Sequence, residues 1–334
     1  MSAAVAERLG TVRWRRTASR HGWTLGVYLL VLALLFYYAS VIPVFTSFDI
    51  QTIFLGSLPL VFAAMGQAIV VISGGIDLSI GPLMVLINVS AATLMLDQGL
   101  WAALAIALGL VVVGAAAGAV TGTVIVVSRV PDIVITLAML FFWAGLALRI
   151  LPTPGGGAPT AFRELVTGRY LRDISEWIPN GLLLIVAVLL VVWLPLRRSR
   201  LSHALYAIGS DRQAAFLSGI DVSRTRVAAY ALAGVFAALG GLALTATTGI
   251  GSAQGAQAGQ LYTLNSVAAI VLGGVSLLGG RGGLLGPVAA AFVFPIINAI
   301  LLFQGRDPNE SAIIQGSLIV LIVMVAGLLV RRER

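Results

Sequence analysis

Ten runs of predominantly apolar residues dominate this chain, each close to the length of about 20 that a helix needs to cross a hydrocarbon core. They lie near Trp23–Phe45, Thr52–Ser73, Ser79–Leu96, Leu100–Ser128 and Asp132–Leu151, then near Ile178–Pro195, Arg226–Ile250, Thr263–Gly280, Leu284–Gln304 and Ser311–Val330. Hydrophobic residues make up 59% of the 334 and charged residues 10%, where soluble domains hold about a quarter charged. That much apolar surface exceeds what ordinary cores bury, so lipid must be the solvent. The fold class expected is an all-α integral membrane protein with about ten transmembrane helices.

Arginine placement orients the spans, because cytoplasmic loops carry the excess of basic residues. With the N-terminus inside and ten spans alternating, sixteen of the 21 basic residues fall inside or at the inner boundary. Only Arg149, Arg163, Arg169, Arg172 and Arg306 fall outside or at the outer boundary. An odd number of spans would export one arginine-rich terminus, so both termini are expected in the cytoplasm. The first apolar run is too long for a signal-peptide core and lacks a small-residue cleavage site. The net charge of +8 is read as topology and as contact with anionic headgroups rather than as a nucleic-acid surface. The expected organisation is a cytoplasmic arm over 1–22, one transmembrane domain over 23–330 and a tail over 331–334.

Two polar segments interrupt the pattern. The outer one, Pro152–Trp177, mixes glycines and charges and suits either a short surface helix touching an outside partner or a loose connector. The inner one, Arg197–Thr225, is the longest cytoplasmic insertion.

Absences exclude whole chemistries. With no cysteine there are no disulfides, thiolate metal sites or cysteine nucleophiles. All 21 basic residues are arginine, and the NTPase phosphate loop requires a lysine. Two histidines, His21 and His203, cannot supply a zinc-hydrolase motif. Neither a catalytic residue set nor a metal site is expected, and no cofactor in this chain.

Three motifs carry the functional argument. In the stretch SGGIDLSIGP at 73–82, paired glycines end one helix, Asp77 or Ser79 can cap the next and Pro82 suits its first turn. That stretch is either a tight reversal or a broken helix lining a polar path. A second glycine cluster runs from Gly273 to Gly286 and is read as close helix packing or as a kinked, cavity-lining turn. In the third, Ser210 or Asp211 is placed as the N-cap of a two-turn helix over Arg212–Ser218, with Gly219 as its stop and Ile220 following. Such a short helix is unstable alone in water. It must dock, either on this chain or in a groove of a partner, through small or apolar positions such as Ala214, Ala215 and Leu217.

These motifs resemble the permease subunits of bacterial ATP-binding-cassette importers for monosaccharides, the ribose/xylose/galactose-type family. SGGIDLSIG at 73–81, AIGSDRQAAFLSGIDV at 207–222 and LNSVAAIVLGGVSLLGGRGGLLG at 264–286 carry the likeness, which runs from about Phe45 to the C-terminus. Asp211 stands where that family commonly has asparagine, Ser210 where it often has glycine, and Pro82 where a small residue is more usual. The resemblance implies a non-catalytic permease in the inner membrane, with spans two to five and seven to ten as pseudo-symmetric halves. It implies ATPase subunits inside, a periplasmic sugar-binding protein outside, and a second permease copy or homologue. The coupling contact to the ATPase falls on Ser210, Asp211, Arg212, Ala214, Ala215, Gly219 and Ile220.

Path-lining candidates are the polar residues in or beside spans: Gln67, Ser73, Asp77, Asn88 and Asn265. Each is equally well read as an interhelical hydrogen bond. A path with few ionisable groups suits an uncharged polyol. Rival cargoes are nucleosides, a furanosyl signal and branched-chain amino acids. An ion-coupled secondary transporter would need intramembrane carboxylates or histidines, and Asp77 is the one carboxylate placed near a span interior.

Overall fold

The computed structural model describes residues 3–168, 177–253 and 256–332. Among them the chain is helical without β-strands, apart from one isolated bridge between Gly155 and Gly251. The long elements are α1 (Ala3–Val41), α2 (Ser47–Ile72), α4 (Leu100–Ser128), α5 (Asp132–Ile150), α11 (Val222–Thr248), α12 (Ala256–Leu272) and α15 (Pro308–Arg332). Between them lie α3 (Ile80–Leu94), α6 (Thr160–Thr167), α7 (Asn180–Val188), a π-helical turn (Leu189–Trp193), α8 (Leu194–Arg198), α9 (Arg200–Ser210) and α10 (Arg212–Leu217). The ninth apolar run is divided into α13 (Leu285–Ala290) and α14 (Val293–Phe303).

Seven stretches among the described residues are long and apolar enough to cross a membrane: Gly22–Val41, Ser47–Ile72, Leu100–Ser128, Asp132–Ile150, Asn180–Arg198, Val222–Thr248 and Leu285–Phe303. Three further apolar helices, Ile80–Leu94, Gly259–Leu272 and Asn309–Ile322, are shorter. The chain is a multi-pass membrane protein.

The helix α2 is the axis. In its apolar window 89% of residues are buried, against 28% in α4 and 22% in α5. A membrane helix hydrophobic on all sides can be buried on all sides, and α2 is wrapped by α11, α12, α13, α7 and α14. The outer helices turn large apolar groups away from the protein, as with Phe36 (78% exposed), Trp101 (83%) and Val127 (75%). Apolar surface on this scale is stable only against lipid or another subunit.

Close packing of α11 on α4 uses small residues. A Cβ on Gly118 would lie 2.1 Å from the Tyr230 carbonyl oxygen, and one on Gly234 would lie 2.0 Å from that of Gly114. Without a hydrophobic force between helices in lipid, such backbone approach supplies the van der Waals contact that holds them together.

Element ends follow local chemistry. Asp49 accepts the Thr46 backbone N–H at 2.8 Å and fixes the start of α2. Several expected spans differ in extent: the first lies in a helix running from Ala3 to Val41, and the sixth and ninth are each divided into shorter helical pieces. The eighth starts earlier and ends at Leu272 rather than Gly280, because Gly274 takes the left-handed conformation (φ 84°) and turns the chain away. The third is a helix of 15 residues.

The outer segment contains a real helix, α6, seated through buried Phe162 and through Arg163, whose Nε donates to the Ala246 carbonyl at 3.3 Å. The rest of that segment, 169–176, lies outside the described residues, as do the ends of the terminal arm and tail.

Candidate functional site

The α9–α10 segment is built as the residue types predict. One Asp211 oxygen, Oδ1, accepts the N–H groups of Gln213 (2.8 Å) and Ala214 (2.9 Å), so Asp211 is the N-cap of α10. Ser210 is not; its hydroxyl donates to the Tyr206 carbonyl at 2.9 Å. At the other end Gly219 is left-handed (φ 83°), and Ile220 N–H returns to the Ala215 carbonyl at 3.1 Å.

Of the two docking readings of this helix, the structure shows the one on its own chain. Ala215 is buried and the Arg212 Nη2 donates to the Gly74 carbonyl at 2.8 Å, which seats α10 on its own chain. Phe216 and Leu217 are 68% and 78% exposed. These two large apolar side chains on α10 form a small apolar knob.

The preceding helix α9 is absent from the sequence reading. Its signal was present: Ser199 accepts the Ser202 N–H at 3.2 Å, and Leu201, Leu205 and Ile208 share one face. The Tyr206 hydroxyl reaches the Gly282 carbonyl at 2.8 Å, and burial pushes its pKa up.

Here the three glycine-rich motifs meet. Gly280 N–H donates to the Ile72 carbonyl at 2.9 Å, across more than 200 residues of sequence. A Cβ on Gly209 would stand 1.8 Å from that same carbonyl oxygen and 2.6 Å from the Gly280 nitrogen. The α9–α10 segment, the end of α2 with the loop after it, and the loop after α12 therefore touch backbone to backbone.

Beside this junction is a buried polar cluster. Arg226 at the start of α11 and Asp132 at the start of α5 form an ion pair, with side chains 14% and 12% exposed. The Tyr230 hydroxyl donates to the other Asp132 oxygen at 2.9 Å, and the Thr136 hydroxyl reaches the Ile76 carbonyl at 3.3 Å. Asp132 and Tyr230 were missed as site residues. The available signal was two opposite charges, each in the first turn of an apolar run on the same side of the membrane.

Asp77, in the loop between α2 and α3, is buried and accepts the Ser79 N–H (2.8 Å) and hydroxyl (2.6 Å) through one oxygen. Burial raises its pKa, the two bonds from Ser79 oppose this, and the nearby Asp132 carboxylate adds to the rise. These bonds close the turn before α3 and do not cap it: Ser79 is the N-cap residue and neither its side chain nor that of Asp77 accepts an amide of the helix, which corrects the expected cap.

The remaining path candidates are not gathered in one place. Gln67 is fully buried in α2, with neither amide atom bonded. The Ser73 hydroxyl closes the end of α2 on the Val70 carbonyl at 2.7 Å. Asn88 is a cross-link: its Nδ2 donates to Thr245 Oγ1 (2.9 Å) and the Ile250 carbonyl (3.2 Å), and its Oδ1 accepts the Ser252 N–H (3.1 Å). Asn265 keeps its Oδ1 unbonded and lines a cavity of about 430 Å³ with Thr52, Tyr262, Asn298 and Gln315. None of the other four stands in that wall.

The chain is 33% identical over 271 residues to the ribose import permease protein RbsC of Escherichia coli (strain K12), covering 78% of this chain and 80% of the relative. It is 30% identical over 267 residues to the fructose import permease protein FrcC of Rhizobium meliloti, covering 78% and 72%. The autoinducer 2 import system permease protein LsrD of Escherichia coli O9:H4 (strain HS) is 28% identical over 330 residues, covering 94% and 95%. No solved structure matches. The family described as branched-chain amino acid transport system / permease component matches residues 50–323. That match spans well over half of the chain, all three motifs lie inside it, and the chain belongs to this permease family.

Proposed function

We propose that the chain is the permease subunit of an ATP-binding-cassette importer that passes a monosaccharide from a periplasmic binding protein into the cytoplasm. Hydrolysis of ATP belongs to a separate subunit, which suits a chain whose basic residues are all arginine. The observation that carries the reading is the α10 knob: exposed Phe216 and Leu217 on a short capped helix that shares backbone contacts with two span-connecting loops. Relatives named for ribose and fructose import support a sugar as cargo.

In this reading the ten apolar runs are ten spans, arranged as pseudo-symmetric halves in the inner membrane, with both termini cytoplasmic. Two permease copies, or this chain and a homologue, enclose the path. Closure of the ATPase subunits moves α10. Its backbone contacts at Gly209 and the Asp132–Arg226 pair pass that motion to α2, α5 and α11. Polar residues such as Asn265, facing a cavity without carboxylate, arginine or histidine side chains, suit a neutral polyol. A second cargo, an autoinducer 2 type signal, is favoured by the relative that covers 94% of the chain.

The test is an affinity pull-down of this chain from its native membranes in gentle detergent. A phosphate-loop ATPase recovered in about equal amount supports the reading, and uptake of labelled ribose and fructose then assigns the cargo. Recovery of the chain alone, after crosslinking as well, rejects it.

A further inference from the structure

A cavity of about 550 Å³ opens beside the Asp132–Arg226 pair. Its wall takes Gly74 from the loop after α2, Arg129 and Asp132 from the α4–α5 connection, Arg212 from α10, Arg226 from α11 and Leu277 from the loop after α12. Three arginines line it, and its one carboxylate, Asp132, forms its ion pair with Arg226 and accepts the Tyr230 hydroxyl. Arg212 spends one of its five N–H donors on the Gly74 carbonyl. Arg129 has no ion-pair or hydrogen-bond partner among the described residues. It also ends α4 in the left-handed conformation (φ 57°), which is uncommon for a residue with a side chain.

We propose that this cavity binds a phosphate-bearing anion, held chiefly by Arg129 and Arg212. Guanidinium groups match phosphate oxygens in geometry as well as in charge. The site lies where α2 and α4 end and where α5 and α11 begin, the level at which headgroup phosphates meet a membrane protein. The anion comes either from an acidic phospholipid or from a free phosphate compound. Because Arg212 opens α10 and Arg129 precedes α5, a bound phosphate bridges the coupling segment to the α4–α5 connection.

The full purified chain is placed in nanodiscs of neutral phosphatidylcholine. Phosphatidylglycerol is then titrated into the discs, or inorganic pyrophosphate into the buffer, while retained anion and thermal midpoint are read. Arg129→Gln is expected to weaken retention about five-fold, the factor that corresponds to about 1 kcal/mol for one basic group near an anionic surface. Arg129→Lys is expected to keep most of it. Arg198→Gln, which removes the same charge from outside the cavity, is expected to change little. Ile133→Glu, which adds a carboxylate to the wall, is expected to abolish retention without removing an arginine. Retention specific to phosphatidylglycerol assigns the site to lipid, and displacement of that lipid by pyrophosphate assigns it to a free phosphate compound. Equal losses in Arg129→Gln and Arg198→Gln, or none in Ile133→Glu, overturn the proposal in favour of diffuse surface charge.

Discussion

Asp132 and Arg226 stand 94 residues apart in sequence and meet as a nearly buried ion pair near the N-terminal ends of α5 and α11. Since α11 follows α10 after a four-residue turn, this pair fastens α5 to the helix that leaves the α9–α10 segment. Removing one partner of a buried pair leaves an uncompensated charge, at a cost of about 3–5 kcal/mol. Arg226→Ala is therefore expected to lower the thermal midpoint in detergent sharply. Asp132→Asn in the same background should recover part of the loss, since it removes the orphaned charge and keeps a partner for the Tyr230 hydroxyl. A double-mutant cycle on thermal unfolding checks this. Strictly additive effects would show that the two residues do not interact.

Gly209 is expected to accept no larger residue. The Cβ of an alanine would overlap the Ile72 carbonyl oxygen at 1.8 Å, and the neighbours are backbone, which cannot rotate away. Gly209→Ala should give little folded protein, or a folded chain whose α9 has shifted and whose uptake is lost. Gly219→Ala meets open space and is strained only by its positive φ of 83°, at about 1 kcal/mol. Size-exclusion yield and thermal midpoint should rank the two far apart.

How much of this was legible beforehand differs by scale. The bounds of α4, Leu100–Ser128, were read from the sequence, because an unbroken apolar run fills the whole helix. The Asp211 cap and Gly219 stop were likewise local signals, complete within nine residues. The contacts of Gly280 with Ile72 and of Arg226 with Asp132 were not legible, since glycine content signals close approach without naming the partner. Charge placement gives the side of the membrane but not the neighbour. For the same reason Gln67, Asn88 and Asn265 share a residue class in sequence and separate environments in the fold.

The α10 knob predicts a separation of stability from coupling. Phe216 and Leu217 are exposed, and substitutions at exposed positions usually stay within about 0.5 kcal/mol. Phe216→Asp and Leu217→Asp should leave insertion and thermal midpoint near wild type while abolishing ATPase co-purification and sugar uptake. Asp211→Ala removes a cap that holds two N–H groups and should cost about 1 kcal/mol. Asp211→Asn keeps an acceptor and should restore both stability and uptake. Normal uptake in Phe216→Asp would sink the docking role.

Asn88 and Asn265 should part company under the same substitution. Alanine at Asn88 strips three bonds and leaves the Ser252 N–H without its acceptor, while the Thr245 hydroxyl keeps the Gly241 carbonyl. An orphaned group costs about 1–3 kcal/mol, so Asn88→Ala should fall in thermal midpoint, with the KM for sugar unchanged in whatever protein remains. Asn265 holds an unbonded Oδ1, and leucine there removes a polar atom the fold does not use. Asn265→Leu should therefore be neutral or stabilising in unfolding. If sugar passes the cavity it shares with Tyr262 and Gln315, the KM for uptake should rise in the same variant. A loss of stability without a change in KM at Asn265 would make it a structural residue and move the path elsewhere, to surfaces completed by a second copy.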